Sequence, residues 1–357
     1  MKKLLKGLLA AAMMLGLTAC GGGNTGDENE ATKVAILVPH VGDQSYMDVT
    51  AHAEVLLEEK YGDAIEVNVI EMGDDEADWE PANRLAAEQG YDIIVSGNWQ
   101  YEAAMLTVAK DFPEIKYVNF DYSDAAANAL ENVYAITYAA HEIGYLTGVV
   151  AAVKSQSGII GGVVGQDNAG MNQFMAGYIQ GASDVNKDIK VIISYVGSFS
   201  DAPKGKEISN QMISQGADVI WGCAGGSGNG VFEAAAEHEG VWALGVDTDQ
   251  YVSMANQEKL AKTILTSGLK NVDVGVTNAV TQIIDGTAPF GTAEMLGYKD
   301  GAVGLAENDY YKANMTEDEL ATVKTFTDKV LNGETKVVDE LTQPGVFADL
   351  YAKYGLK

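Results

Sequence analysis

From Lys33 onward the chain alternates short apolar runs, mostly β-branched, with amphipathic stretches of helical length. That alternation predicts an α/β protein with parallel sheets. The expected strands of a first series are Val34–Val38, Ile65–Ile70, Asp92–Val95, Tyr117–Phe120 and Val133–Ile136, followed by a long helix from about His141 to Lys154. A second series runs Gly158–Val164, Val191–Tyr195, Asp218–Trp221 and Val241–Val246, with Lys262–Leu265 and Val303–Leu305 closing the fold. Two successive sets of βα units predict two similar lobes. Length agrees, because the stretch beyond residue 32 exceeds what one hydrophobic core usually serves.

In such sheets ligands bind beyond the carboxyl ends of the strands, so function is sought in the residues that follow each strand. In the first series these are Gly42-Asp43-Gln44-Ser45-Tyr46, Gly97-Asn98-Trp99 and Asp121-Tyr122. In the second they are Gln166-Asp167-Asn168, Gly197-Ser198-Phe199-Ser200-Asp201, the glycine-rich Gly225–Gly230 and Asp247-Thr248-Asp249. Aromatic plates with acceptor side chains around them suit a flat ligand that carries hydroxyl groups.

The amino terminus places Lys2, Lys3 and Lys6 ahead of an apolar run from Leu8 to Leu17, the layout of an export signal. At about 10 residues the run is too short to span a bilayer stably, for which roughly 20 are needed. It ends in Leu17-Thr18-Ala19-Cys20, which resembles the bacterial lipoprotein box. Residues 1–19 are then a lipoprotein signal peptide, Cys20 carries the lipid, and residues 20–31 form a polar tether. Cys223 is the one other cysteine and sits in an apolar stretch, as a small core residue would.

The formal charge of -28 argues against nucleic acid, whose phosphates demand a basic surface. Arg84 is the only arginine, so no pair of guanidinium groups can clamp a phosphate or carboxylate. A neutral or cationic ligand fits better. Gly226, Gly228 and Gly230 do not have the dinucleotide-binding spacing, and no P-loop Lys-Ser/Thr follows them. Close backbone approach to an uncharged ligand, or a tight turn, is the expectation for this loop. His40, His52, His141 and His238 are dispersed, without metal-ligand spacing, and no Gly-x-Ser-x-Gly elbow occurs. Neither a metal nor a cofactor is expected, and no enzyme activity.

Several strings resemble the basic membrane protein family of ABC-transporter substrate-binding lipoproteins, which includes purine-nucleoside receptors. They are Gly42–Tyr46, Tyr195–Asp201 with Lys204–Glu207, Ala224–Phe232, Gly245–Gln250 and Thr266–Lys270. The resemblance implies the periplasmic-binding-protein type I fold: two Rossmann-like lobes with parallel sheets, joined by a three-stranded hinge. It implies a first lobe of residues 32–138 plus about 251–290 and a second of 139–250 plus about 291–357. By motif, Tyr46 and Phe199 become the rings that sandwich a base, Asp121 the base reader, and Asp247 with Lys270 the ribose pair. Asp43, Asn98 and Gly226 complete the expected ligand set. Departures from the family's pattern fall at Tyr46, Met47 and Trp99-Gln100-Tyr101. The implied partners are a nucleoside, a permease with its ATPase, and the membrane through the lipid; a binding protein for a sugar or free nucleobase, a signalling receptor and, more distantly, an extracellular nucleoside hydrolase are the alternatives. A monomer anchored on the extracytoplasmic face is expected.

Overall fold

The computed structural model describes residues 31–356; the signal peptide, Cys20 and nearly all of the tether lie outside the described residues. Twelve strands form two six-stranded sheets. In chain order they are β1 Thr32–Val38, β2 Ile65–Glu71, β3 Ile93–Val95, β4 Lys116–Asn119, β5 Val133–Tyr138 and β6 Ile159–Val164. Then follow β7 Lys190–Tyr195, β8 Val219–Cys223, β9 Trp242–Asp247, β10 Ile264–Lys270, β11 Thr292–Leu296 and β12 Val303–Leu305.

The first sheet has the order β2-β1-β3-β4-β5-β11 and the second β7-β6-β8-β9-β10-β12. Each therefore repeats the doubly wound 2-1-3-4-5 order and adds one edge strand. Pairing is parallel throughout except between β12 and β10. Central strands such as β5 and β8 are buried along their whole length, because helices cover both faces of the sheet. These are the two Rossmann-like lobes of a type I periplasmic-binding-protein fold.

The chain passes between the sheets three times, at β5 to helix Ala140–Lys154, at β10 to helix Val272–Ile284, and at β11 to β12. The lobe boundaries differ here from those expected. Residues 251–270 end in β10, a strand of the second sheet, and it is β11 at residues 292–296 that returns to the first. The boundary near residue 291 is displaced for a physical cause: β11 is an edge strand, Thr-Ala-Glu-Met-Leu, whose side chains are mostly exposed, so it lacks the apolar run that marks its neighbours.

In the second lobe, helices Ala140–Lys154 and Ala169–Val185 meet through glycines. A Cβ added at Gly144 would lie 1.9 Å from the Phe174 carbonyl oxygen, and one at Gly148 2.1 Å from that of Tyr178. Reciprocally, a Cβ at Gly177 would lie 2.0 Å from the His141 carbonyl oxygen, and at Gly181 2.1 Å from that of Tyr145. Four-residue spacing places each pair of glycines on one helix face, so the backbones touch and fix one another's register. The second helix carries part of the cleft wall.

Candidate ligand-binding cleft

The carboxyl ends of both sheets face a cavity of about 690 Å³. From the first lobe it is lined by Asp43, Tyr46, Trp99, Asp121 and Tyr138, and from the second by Phe174, Phe199, Gly225, Asp247 and Lys270, among others. Its chemistry follows from how each loop is held.

The loop after β1 is organised by two carboxylates. Asp43 accepts from the backbone N–H groups of Ser45, Met47 and Asp48 at 2.9, 3.0 and 3.2 Å, which caps the start of helix Tyr46–Ala51. Asp48 accepts from the N–H groups of Gly42 and Gln44 at 2.5 and 2.8 Å. Gly42 has φ 98° and Gln44 φ 57°, so the turn is tight and left-handed at both positions. The consequence is that Tyr46 points into the cleft.

There the Tyr46 hydroxyl donates to Asp121 Oδ2 at 3.0 Å. The same oxygen accepts from Lys270 Nζ at 2.5 Å, and Asp121 Oδ1 accepts from Thr137 Oγ1 at 2.7 Å. Burial and the Asp121 charge push the Tyr46 hydroxyl well above its ordinary pKa, so it stays a donor. Lys270 is itself buried and lies over the rings of Tyr46, Tyr138 and Phe174 at 5.0, 5.4 and 5.7 Å, where their π-faces add to the attraction of Asp121. A buried Glu102 sustains this wall from behind, accepting from Asn119, Asn128 and the Ser123 N–H at 3.0, 3.1 and 3.1 Å.

Asp247 ends β9 with φ 67°, a left-handed conformation that Asp tolerates better than most residues. Its Oδ2 accepts from Ser45 Oγ of the other lobe at 2.7 Å. Burial raises its carboxyl from 3.8 to about 6, with Asp43 and Asp121 adding to the rise and Lys270 and Ser45 opposing it. A third bond between lobes, after Lys270–Asp121 and Ser45–Asp247, runs from Gln250 Nε2 to the Gln44 carbonyl at 3.0 Å. Phe199 packs its ring on Gly165, where a Cβ would sit 2.1 Å from it, and meets the edge of Trp99 from the first lobe with ring centroids 6.0 Å apart.

Six of the eight expected ligand residues thus line one cavity. The other two stand apart. Asn98 is fully buried, accepts from the Gln100 N–H at 2.8 Å and bridges to Asp121 through its backbone, so it holds the turn beneath the wall. Gly226 lies one residue beyond the lining Gly225, in a turn whose close approach to the Phe199 carbonyl leaves 3.2 Å for a Cβ. Lys270, expected to pair with Asp247, is hydrogen-bonded to Asp121, while its charge also reaches Asp247. Sequence reasoning missed Gln173, Phe174 and Thr137. The first two sit in an amphipathic helix, where such residues read as core. Cys223 lines the cavity with its thiol pushed well above the ordinary range by burial, which makes it unreactive.

Among the described residues, Lys270 is the only lysine and His40 the only histidine on the wall, and no arginine lines it. Lys270 is already neutralised, and no cluster of His, Cys, Asp and Glu there could hold a metal ion. Aromatic faces, carboxylates and one compensated ammonium suit an uncharged, flat molecule with hydrogen-bond donors.

A cleft between two doubly wound lobes joined by three crossings defines the class: a two-lobed binding protein that encloses a small molecule. Residues 31–339 match the family described as ABC transporter substrate-binding protein PnrA-like, and the chain belongs to that family. It is similar to the "CD4+ T-cell-stimulating antigen" of Listeria innocua, 31% identical over 93% of this chain and 96% of that protein. It is also similar to the "ABC transporter nucleoside-binding protein BmpA" of Lactococcus lactis, 35% identical over 67% of this chain and 70% of that one. Among solved structures, an ABC transporter solute-binding protein of Aeropyrum pernix superposes with a TM-score of 0.75 at 26% identity, covering 90% of this chain and 98% of that one.

Proposed function

We propose that this substrate-binding protein is the lipid-anchored, extracytoplasmic receptor of an ABC importer and that its ligand is a nucleoside, with a purine favoured. The observation that carries the reading is the composition of the cleft wall, in which aromatic rings from both lobes flank Asp43, Asp121, Asp247 and one compensated lysine. Tyr46 and Phe199 stack on the base, Asp121 reads its edge, and Asp247 accepts from ribose hydroxyls. Stacking tolerates Tyr at position 46, because any base offers a π-face worth about 1 to 3 kcal/mol. The similarity to a nucleoside-binding protein of Lactococcus supports the ligand class. Cys20 within Leu17-Thr18-Ala19-Cys20 supports the anchor. The lobes deliver the ligand to a permease with its ATPase, and the protein itself performs no chemistry on it.

Isothermal titration with guanosine, inosine, adenosine, uridine and the matching free bases tests this. Binding of at least one nucleoside, more tightly than its base, is expected. A protein that takes up none of them but binds a sugar would sink the reading.

A further inference from the structure

Helix Ala169–Val185 opens at the cleft, its first turn capped by Asn168 Oδ1 accepting from the Met171 N–H at 3.0 Å. Gln173 lies one turn in and lines the cavity. The residue is only 8% exposed, and its Oε1 is buried with no hydrogen-bond partner among the described residues. Buried side-chain oxygens are satisfied in the large majority of cases, so an orphan on a cavity wall calls for a donor from elsewhere.

Donors lining the same cavity are directed elsewhere. The Tyr46 hydroxyl, the Thr137 hydroxyl and the Lys270 ammonium all donate to Asp121. Nor is the amide free to move away with its backbone. The Phe174 carbonyl, one residue on, lies against Gly144 so tightly that a single added carbon would clash at 1.9 Å. An acceptor held on a rigid element, facing the cavity and lacking a protein donor, is preorganised for a ligand.

We propose that Gln173 is a specificity-determining residue whose carbonyl oxygen accepts a hydrogen bond from one N–H or O–H of the bound nucleoside. This rests on the nucleoside reading and adds to it a contact on the second lobe's helical wall, apart from the strand-end loops that supply the other polar contacts. The ligand must present a donor toward helix Ala169–Val185, and nucleosides lacking that donor are discriminated against. Rejection is strong in such sites, because an analogue without the donor returns the oxygen to its orphaned state.

The test pairs protein variants with ligand analogues. Gln173→Met keeps length and volume without the amide, and Gln173→Glu keeps an acceptor. Each is titrated calorimetrically with the tightest-binding nucleoside, its 2′-, 3′- and 5′-deoxy forms and its base-N-methylated form. Wild type is expected to bind one of these analogues about tenfold to a hundredfold more weakly than the parent. Gln173→Met loses a similar factor for the parent but nothing further for that analogue, so the two losses do not add. Gln173→Glu retains the wild-type ranking of the analogues. Far-ultraviolet circular dichroism and melting curves establish that the variants fold.

Gln173→Met binding the parent as tightly as wild type would overturn the assignment alone. So would a uniform loss across all analogues, which marks a structural role. Wild type binding no nucleoside overturns the functional reading and this assignment with it, an outcome distinguishable by the silent wild-type titration.

Discussion

The carbonyl oxygen of Phe174 occupies the space that a side chain on Gly144 would need, 1.9 Å from the position of its Cβ. The relationship ties helix Ala140–Lys154, which begins at the first crossing between lobes, to the helix that bears Phe174 in the cleft wall. Gly144→Ala must therefore separate the two helices. Overpacking of this kind costs about 1 to 3 kcal/mol, and backbone has little room to yield. A lower melting temperature and weaker ligand binding are expected together. An unchanged melting curve would show that the helices separate freely.

Lys270 and Asp121 form a buried pair, and removing one partner strands the other. Lys270→Met is expected to destabilise the protein by about 3 to 5 kcal/mol, the scale for an uncompensated buried charge. Tyr46→Phe removes only a neutral donor to the same carboxylate and should cost about 1 kcal/mol. Urea denaturation of the three proteins checks the order. Equal losses would mean that Lys270 contributes as a hydrogen-bond donor and not as a charge.

Asp247→Asn preserves a residue type that tolerates φ 67° and removes the charge. Nucleoside affinity should fall about tenfold to a hundredfold, and free-base affinity should stay nearly constant. Calorimetry with matched nucleoside and base reads the difference. A parallel drop for both ligands would reassign Asp247 to holding Ser45.

The raised carboxyl of Asp247 also sets a pH dependence. Its folded-state value of about 6 exceeds the ordinary 3.8, so between those limits the folded chain holds a proton that the unfolded chain has released. This group's contribution to the stability of the unliganded protein therefore declines as pH rises from about 4 to 6. Ligand binding has the opposite sign, because a ribose hydroxyl bonds best to the ionised form. Below pH 6 affinity should fall by up to about tenfold per pH unit, the limit for one linked proton. Asp43, also raised by burial, titrates in the same cleft, so the comparison with Asp247→Asn isolates the share of Asp247. A wild-type profile as flat as that of the variant would rule out this linkage.

Trp99 and Phe199 meet across the cleft from opposite lobes, and Trp99 is 37% exposed. A hinged pair of lobes should shift its population toward the closed form on binding. Small-angle scattering at saturation is expected to show a smaller radius of gyration, accompanied by a change in tryptophan emission that Trp99→Phe reduces. Scattering curves that superpose with and without bound ligand would argue for a cleft that stays shut.

Much of the fold was legible because buried parallel strands announce themselves. The runs Val34–Val38, Ile65–Ile70 and Val133–Ile136 each fall within a strand of the structure, and β12 matches at both ends. β11 was not, since an exposed edge strand carries no apolar signature, and the lobe boundary was displaced with it. Asp121 and Asp247 were legible as cleft-lining positions because they lie at or just beyond the carboxyl ends of strands, where topology directs the chain toward the cleft. Gln173 and Phe174 were hidden for the converse reason. A helix that lines a cavity on one side and a core on the other shows the same amphipathic period as a helix that lines a core alone.

The three crossings also dictate an order of assembly. The first sheet lacks its edge until Thr292–Leu296 returns to pair with Val133–Tyr138, across a gap that contains five of the second sheet's six strands. A chain synthesised amino terminus first therefore cannot finish its first lobe until most of the second has been made. Long-range parallel pairing of this kind is slow and leaves an unpaired edge exposed meanwhile. The partly made chain is thus the vulnerable species, because the strand that completes the first sheet is among the last to be made.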